Sequence, residues 1–245
     1  MPLGTVFKNV FDMFRERSDV RFPKHSGSNS SIFDELKSSP ANPVGNPANE
    51  LFCKDLTKAG ALLEKSAQEV VSGCDITFSC VSDPDALKEL VFGKNGVLKG
   101  ISNGKGFVDM STVDVTTTRH IYDAVTSAGG NFLHAPVCGN KQLASEGQLV
   151  ILASGDRSLY DDCFTCFEAM SKKWFFLGEI GNGTKMALIM SIIQANMLGA
   201  LAESLVLADK SGLDQDHVIQ VLRHTTANCE LLSSKGNGKR NNQSY

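Results

Sequence analysis

The sequence predicts an α/β fold: an incomplete Rossmann-like, mostly parallel sheet followed by a long buried helix and the start of an all-α domain. Three observations predict it. Across residues 66–177, short apolar runs bounded by turn residues alternate with helix-length stretches. Strands joined by helices of that length run parallel and are covered on both faces. After Gly181, Gly183 and Thr184, a nearly charge-free run continues to Glu203 and Asp209. Its large residues, among them Met186, Leu188, Ile189, Ile192, Ile193, Met197, Leu198, Leu201, Leu205 and Leu207, surround the axis at a 3.6-residue period, which predicts burial on most sides.

The elements follow in order. Val6, Phe7, Val10, Phe11 and Phe14 fall at helical spacing, and Asp12, Glu16 and Asp19 among them exclude a transit peptide, so residues 1–45 read as an amphipathic helix and a disordered linker. That helix docks on a partner or on the domain itself. The linker is rich in Ser, Asn, Pro and Gly from His25 onward. A helix is expected over residues 50–60 and another over 66–72, with Ser66 as N-cap and Glu69 completing a capping box. Residues 75–81 form a compact strand that stops at Ser82, Asp83 and Pro84, and a helix follows over 85–92. Strands over 106–110 and 131–134 flank a helix over 114–127 that ends at Gly129 and Gly130. Two more strands, over 148–153 and 173–177, are separated by a helix over 158–171. The resulting division is a Rossmann-like domain over 46–180, a helical domain over 181–235 and a polar tail over 236–245.

Bulk properties exclude several classes. With 245 residues, 42% hydrophobic and 21% charged, the chain can bury a sizeable core in one large or two small domains. A formal net charge of -3 provides no general attraction to nucleic acid, and Lys235, Lys239 and Arg240 read as a solvated end. The apolar run at 181–211 is interrupted by Ser191, Gln194, Asn196 and Gly199 and lacks an aromatic belt, so no membrane span is expected. Seven cysteines scattered through apolar segments indicate reduced thiols and an intracellular protein. Cys163 and Cys166 form a lone C-x-x-C, far in sequence from every histidine, which predicts no metal site.

Asp109-Met110-Ser111-Thr112, Ala135-Pro136-Val137-Cys138-Gly139 and Gly181-Asn182-Gly183-Thr184-Lys185-Met186, each following a strand in this order, resemble the β-hydroxyacid dehydrogenase family. That family contains 3-hydroxyisobutyrate dehydrogenase, plant glyoxylate reductase and 6-phosphogluconate dehydrogenase. Within it, residues 71–84, 107–113 and 147–169 are most similar to the dehydrogenase-like module of a nuclear, chromatin-associated protein. The resemblance implies NADP or NAD as cofactor, a small hydroxy acid or aldehyde acid as substrate, a nuclear location with a cytoplasmic alternative, homo-oligomerisation through the long helix and chromatin proteins as partners. It carries the cofactor contacts to Val81, Ser82 and Thr112, and the substrate contacts to Ser111, Cys138 and Gly139. Val81 and Ser82 also read as a plain strand end, and Ser111 with Asp114 as the cap of the next helix.

The resemblance also exposes departures. It places the family's proton-transferring lysine at Ala187 and its substrate-holding asparagine at Ser191, so no catalytic residue is assigned. Lys185, two residues earlier, points away by roughly 200°. No glycine-rich turn precedes residue 75 to cradle a pyrophosphate. Relatives continue into further helices where residues 236–245 read as a tail. Three readings follow: a non-catalytic module for oligomerisation or chromatin-associated protein binding, an NAD(P)-dependent oxidoreductase using a displaced acid such as His134, or a truncated copy without independent function.

Overall fold

The computed structural model describes residues 64–229, 231 and 232. The expected N-terminal amphipathic helix, the linker, the helix over 50–60 and the tail lie outside the described residues. The chain divides into two compact units, Met1–Ala187 and Leu188–Tyr245.

The first unit alternates helices and strands, as its sequence pattern requires. α1 spans Ala67–Gly73, β1 Ile76–Ser79 and α2 Pro84–Phe92; a 3₁₀ turn at Val97–Lys99 leads to β2, Gly106–Asp109. α3 spans Val115–Ser127, β3 Asn131–His134, β4 Val137–Cys138, α4 Lys141–Ser145 and β5 Leu149–Gly155. α5 (Arg157–Asp162) and α6 (Phe164–Met170) divide at Cys163 the stretch expected as one helix, and β6 covers Ser171–Phe176. Short polar side chains begin these helices by taking up orphan N–H groups. Ser66 accepts from the Glu69 N–H, while the Glu69 carboxylate accepts from the N–H of Lys65, one residue before the cap. Asp83, Asp114 and Asp156 each accept from the N–H three residues on.

The sheet order is β1-β2-β3-β5-β4, with β6 on the other edge of β5. β1–β2, β2–β3 and β5–β6 pair in parallel, whereas β5 runs antiparallel to β3 and β4. The five-residue α4 between β4 and β5 is too short for the crossover a parallel pair needs, which explains the reversal. Side-chain alternation divides the core between the two faces. Phe107 and Phe132 join Val71, Leu87, Val91 and Ile121 on one face. Val108 and Leu133 join Ile151, Leu159 and Phe167 on the other.

α7 spans Asn182–Lys210 and α8 spans Gln215–Arg223. Burial of α7 on most sides is not observed: Leu188, Ile189, Ile192, Ile193, Val206 and Leu207 are exposed, reaching 61% at Ile192 and 68% at Leu207. Met190, Met197, Leu198, Leu201 and Leu205, rotated away from them, are half-buried. An all-round apolar composition records the total burial a helix seeks, and the single chain satisfies one side of it. By length and composition α7 is also apolar enough to cross a membrane. In the same unit, α8 buries Ile219, and the Gln215 amide donates to the Leu205 carbonyl at 3.0 Å.

Candidate functional site

The ends of β1, β2 and β3 converge on a fully buried carboxylate, Asp109. Its Oδ1 accepts from the Ser79 hydroxyl at 2.8 Å, the Ser111 hydroxyl at 2.7 Å and the Ser111 N–H at 3.3 Å. The Ser111 oxygen in turn accepts from the Val81 N–H at 2.8 Å. His134, also fully buried, lies with Nε2 3.0 Å from the Ser111 carbonyl and 3.8 Å from Asp109 Oδ2. A carbonyl only accepts, so Nε2 carries the hydrogen and Nδ1 is left as an acceptor. Asp109 Oδ2 and His134 Nδ1 make no hydrogen bond. Burial dominates both groups: it raises the Asp109 pKa and lowers that of His134, each against the pull of the other. The nearby Cys80 thiol is pushed up to about 12 by burial and by Asp109.

This network reassigns several predicted residues. Ser111 does not cap α3. Asp114 does so alone, accepting from the Thr117 N–H at 2.9 Å and its hydroxyl at 2.6 Å, which holds the Asp114 carboxyl below its ordinary range. The Ser111 hydroxyl is committed to Asp109 and Val81. The structure brings Val81 and Ser111 into direct contact, with Ser82 and Thr112 exposed immediately beyond them at the strand ends. Ser82 donates to Asp83 at 2.7 Å. Cys138, half-buried in β4, pairs with Val150, and burial raises its thiol pKa; Gly139 follows, exposed. Neither takes part in the Asp109 network. Asp109, with Ser79, is the feature that motif reading passed over. Its signal was a carboxylate closing an all-apolar strand, where burial demands several donors.

The first turn of α7 is fixed against the same strand ends. Gly181 has a φ of +91°, and a Cβ there would meet Val115 at 2.9 Å. A Cβ on Gly183 would lie 2.4 Å from the Leu152 carbonyl oxygen; its N–H donates to the Ser154 hydroxyl at 3.1 Å. The buried Thr184 hydroxyl donates to the Val113 carbonyl at 3.2 Å. Ala187 is therefore buried, at 5% exposure, and presents a methyl group. Lys185 is exposed, and its ammonium donates to Asn182 Oδ1 at 3.1 Å. A separate depression of about 500 Å³, lined by Arg119, Tyr122, Phe176, Glu179 and Ile180 among others, includes none of the predicted site residues. Among the described residues, no group of three or more His, Cys, Asp or Glu is placed to hold a metal.

A parallel sheet carrying βα units, with polar strand ends beneath the start of a long helix, defines a dehydrogenase-type dinucleotide-binding fold. Residues 46–178 match the family of the NAD-binding domain of 6-phosphogluconate dehydrogenase, and the chain belongs to that family. It is 53% identical over 165 residues to the mouse protein named cytokine-like nuclear factor N-PAC, covering 67% of this chain and 30% of that one. The human protein of the same name is 52% identical over 170 residues, covering 69% and 31%. The chain thus spans less than a third of these relatives. Similar solved folds include a 3-hydroxyisobutyrate dehydrogenase from Salmonella typhimurium, with a TM-score of 0.73, 20% identity, and coverage of 96% of this chain and 74% of that one. Another is Psf3, solved with NADP+ and 2-OPP, with a TM-score of 0.73, 20% identity, and coverage of 85% and 74%.

The residues that would face an NAD(P) molecule fit it only in part. Val81, Ser82 and Thr112 occupy the strand ends, but the Val81 N–H is already donated to Ser111, and no glycine turn opens a helix towards a pyrophosphate among the described residues.

Proposed function

We propose that the chain is a non-catalytic dehydrogenase-like module that acts by self-association and by binding chromatin-associated proteins in the nucleus. Ala187 carries this reading. At the position where the family resemblance puts a proton-transferring lysine, the side chain is a buried methyl, and the nearest lysine in sequence, Lys185, is turned to solvent and bonded to Asn182. Loss of a positioned acid or base removes about 10²- to 10⁴-fold in rate.

His134 does not replace the lysine. It is sealed from solvent, its Nε2–H is donated to a backbone carbonyl, and burial keeps the ring neutral. NADP or NAD is retained, on this reading, only as a weakly held ligand at the strand ends. The nuclear placement and the protein partners are supported by the name of the relatives, which the chain matches over less than a third of their length.

The test is turnover by the purified chain. With NADPH and glyoxylate, or NADPH and succinic semialdehyde, the expected rate equals that of a boiled control. A protein-dependent rate that scales with enzyme concentration would remove the proposal.

A further inference from the structure

We propose that the exposed face of α7 pairs with the same face of a second copy, antiparallel, about a two-fold axis beside the Met197–Leu198 bond. This rests on the self-associating reading above and adds the partner and its register. At about 100° per residue, Leu188, Ile189, Ile192, Ile193, Val206 and Leu207 fall on one side of the helix, the side left exposed. Asn196, Gly199 and Glu203 lie between them on that side.

The sequence of α7 is close to a mirror about that bond. Leu188 and Leu207, Ile189 and Val206, Ala195 and Ala200, and Asn196 and Gly199 are pairwise equidistant from it. In an antiparallel two-fold pair each residue meets its equidistant counterpart on the other copy, so branched apolar residues meet at both ends and small or short residues meet at the crossing. Such an interface is self-complementary by symmetry. A Cβ added at Gly199 would have nothing within 4 Å, so the space above it in the single chain is open for a second helix. A glycine at the crossing suits the short end of the usual interaxial range, about 8–10 Å.

Parallel pairing would set the two helix dipoles side by side and the two Glu203 carboxylates opposite each other. The antiparallel register opposes the dipoles and places Glu203 over Ile192, its stem on the isoleucine and its carboxylate in water. That pair is the one mismatch in the mirror. A lipid surface suits this face less well, because the amide of Asn196 and the carboxylate of Glu203 stand in the middle of it.

The test combines sedimentation of the full chain with cross-linking. The wild type is expected to be a dimer. Gly199→Leu should raise its dissociation constant at least tenfold, while circular dichroism melting of the dilute monomer is unchanged or higher, since leucine is the better helix former. Glu203→Leu should tighten the dimer. Under oxidation, a mixture of Leu188→Cys and Leu207→Cys chains should give a peptide joining positions 188 and 207, and Leu188→Cys chains alone should not join to each other through that position. Self-linkage at 188, or a dimer indifferent to Gly199→Leu, would overturn the register while leaving self-association standing. A monomeric wild type, or one that partitions into phosphatidylcholine vesicles instead of dimerising, would overturn both.

Discussion

The two ends of α7 stand in opposite chemical situations. In its first turn almost every group is accounted for: Gly183 donates to Ser154, Thr184 to Val113 and Asn182 to the Leu177 carbonyl, and no Cβ fits at Gly183. Past Ala187 the helix displays Ile192 at 61% exposure and Leu207 at 68%. The first end belongs to a domain that closes its own hydrogen bonds down to a buried carboxylate. The second offers apolar surface that the described chain does not use. The inherited dehydrogenase scaffold therefore explains stability, and the unspent surface is where association has to be sought.

Breaking the closed end should cost the most. Asp109→Ala removes the acceptor of three donors from Ser79 and Ser111 and should destabilise the chain by about 3 kcal/mol or more in urea unfolding. Asp109→Asn keeps the Oδ1 acceptor and removes a costly buried charge, so it should be far milder; equal losses from the two variants would show that the bonds to Oδ1 do not hold the strand ends. Gly183→Val forces the first turn of α7 off β5 and should cost about 2 kcal/mol.

A smaller effect separates the two buried ionisable groups. The folded-state pKa of His134 lies below its ordinary 6.5, so the unfolded chain takes up the proton first, and stability is lost as pH falls below about 6.5. His134→Gln should flatten thermal stability between pH 7 and pH 5. The sign for Asp109 is opposite: its folded pKa is raised above the ordinary 3.8, so its contribution fades as pH rises from there. Asp109→Asn should accordingly gain on the wild type with rising pH. The smallest effect belongs to the open end. Leu207→Ser should change the stability of the dilute monomer by no more than about 0.5 kcal/mol, and a larger loss would mean that this face is packed within the chain.

Much of the first unit was legible because each strand is a short apolar run stopped by a capping residue: Ser82-Asp83 after β1, Ser111 to Asp114 after β2 and Pro136 after β3. The start of α7 was legible in the same way, since Gly181 and Gly183 stand where backbone must turn or approach closely. The break at Cys163 was not, because residues 157–170 carry no Gly or Pro to mark it. The antiparallel placement of β5 depends on the short connection through α4, which periodicity does not register. Asp109 looked like a strand terminus, and Ser111 like a cap, because a local pattern cannot show that two serines thirty-two residues apart meet one carboxylate. Helical periodicity gave the apolar character of α7 correctly but not which side the chain itself would cover.

Calorimetric titration with NADPH bears most directly on the central claim that the scaffold persists without its chemistry. Up to millimolar nucleotide, the expected result is no saturable heat. A saturable isotherm with a micromolar dissociation constant, abolished by bulky substitution at Thr112, would contradict it.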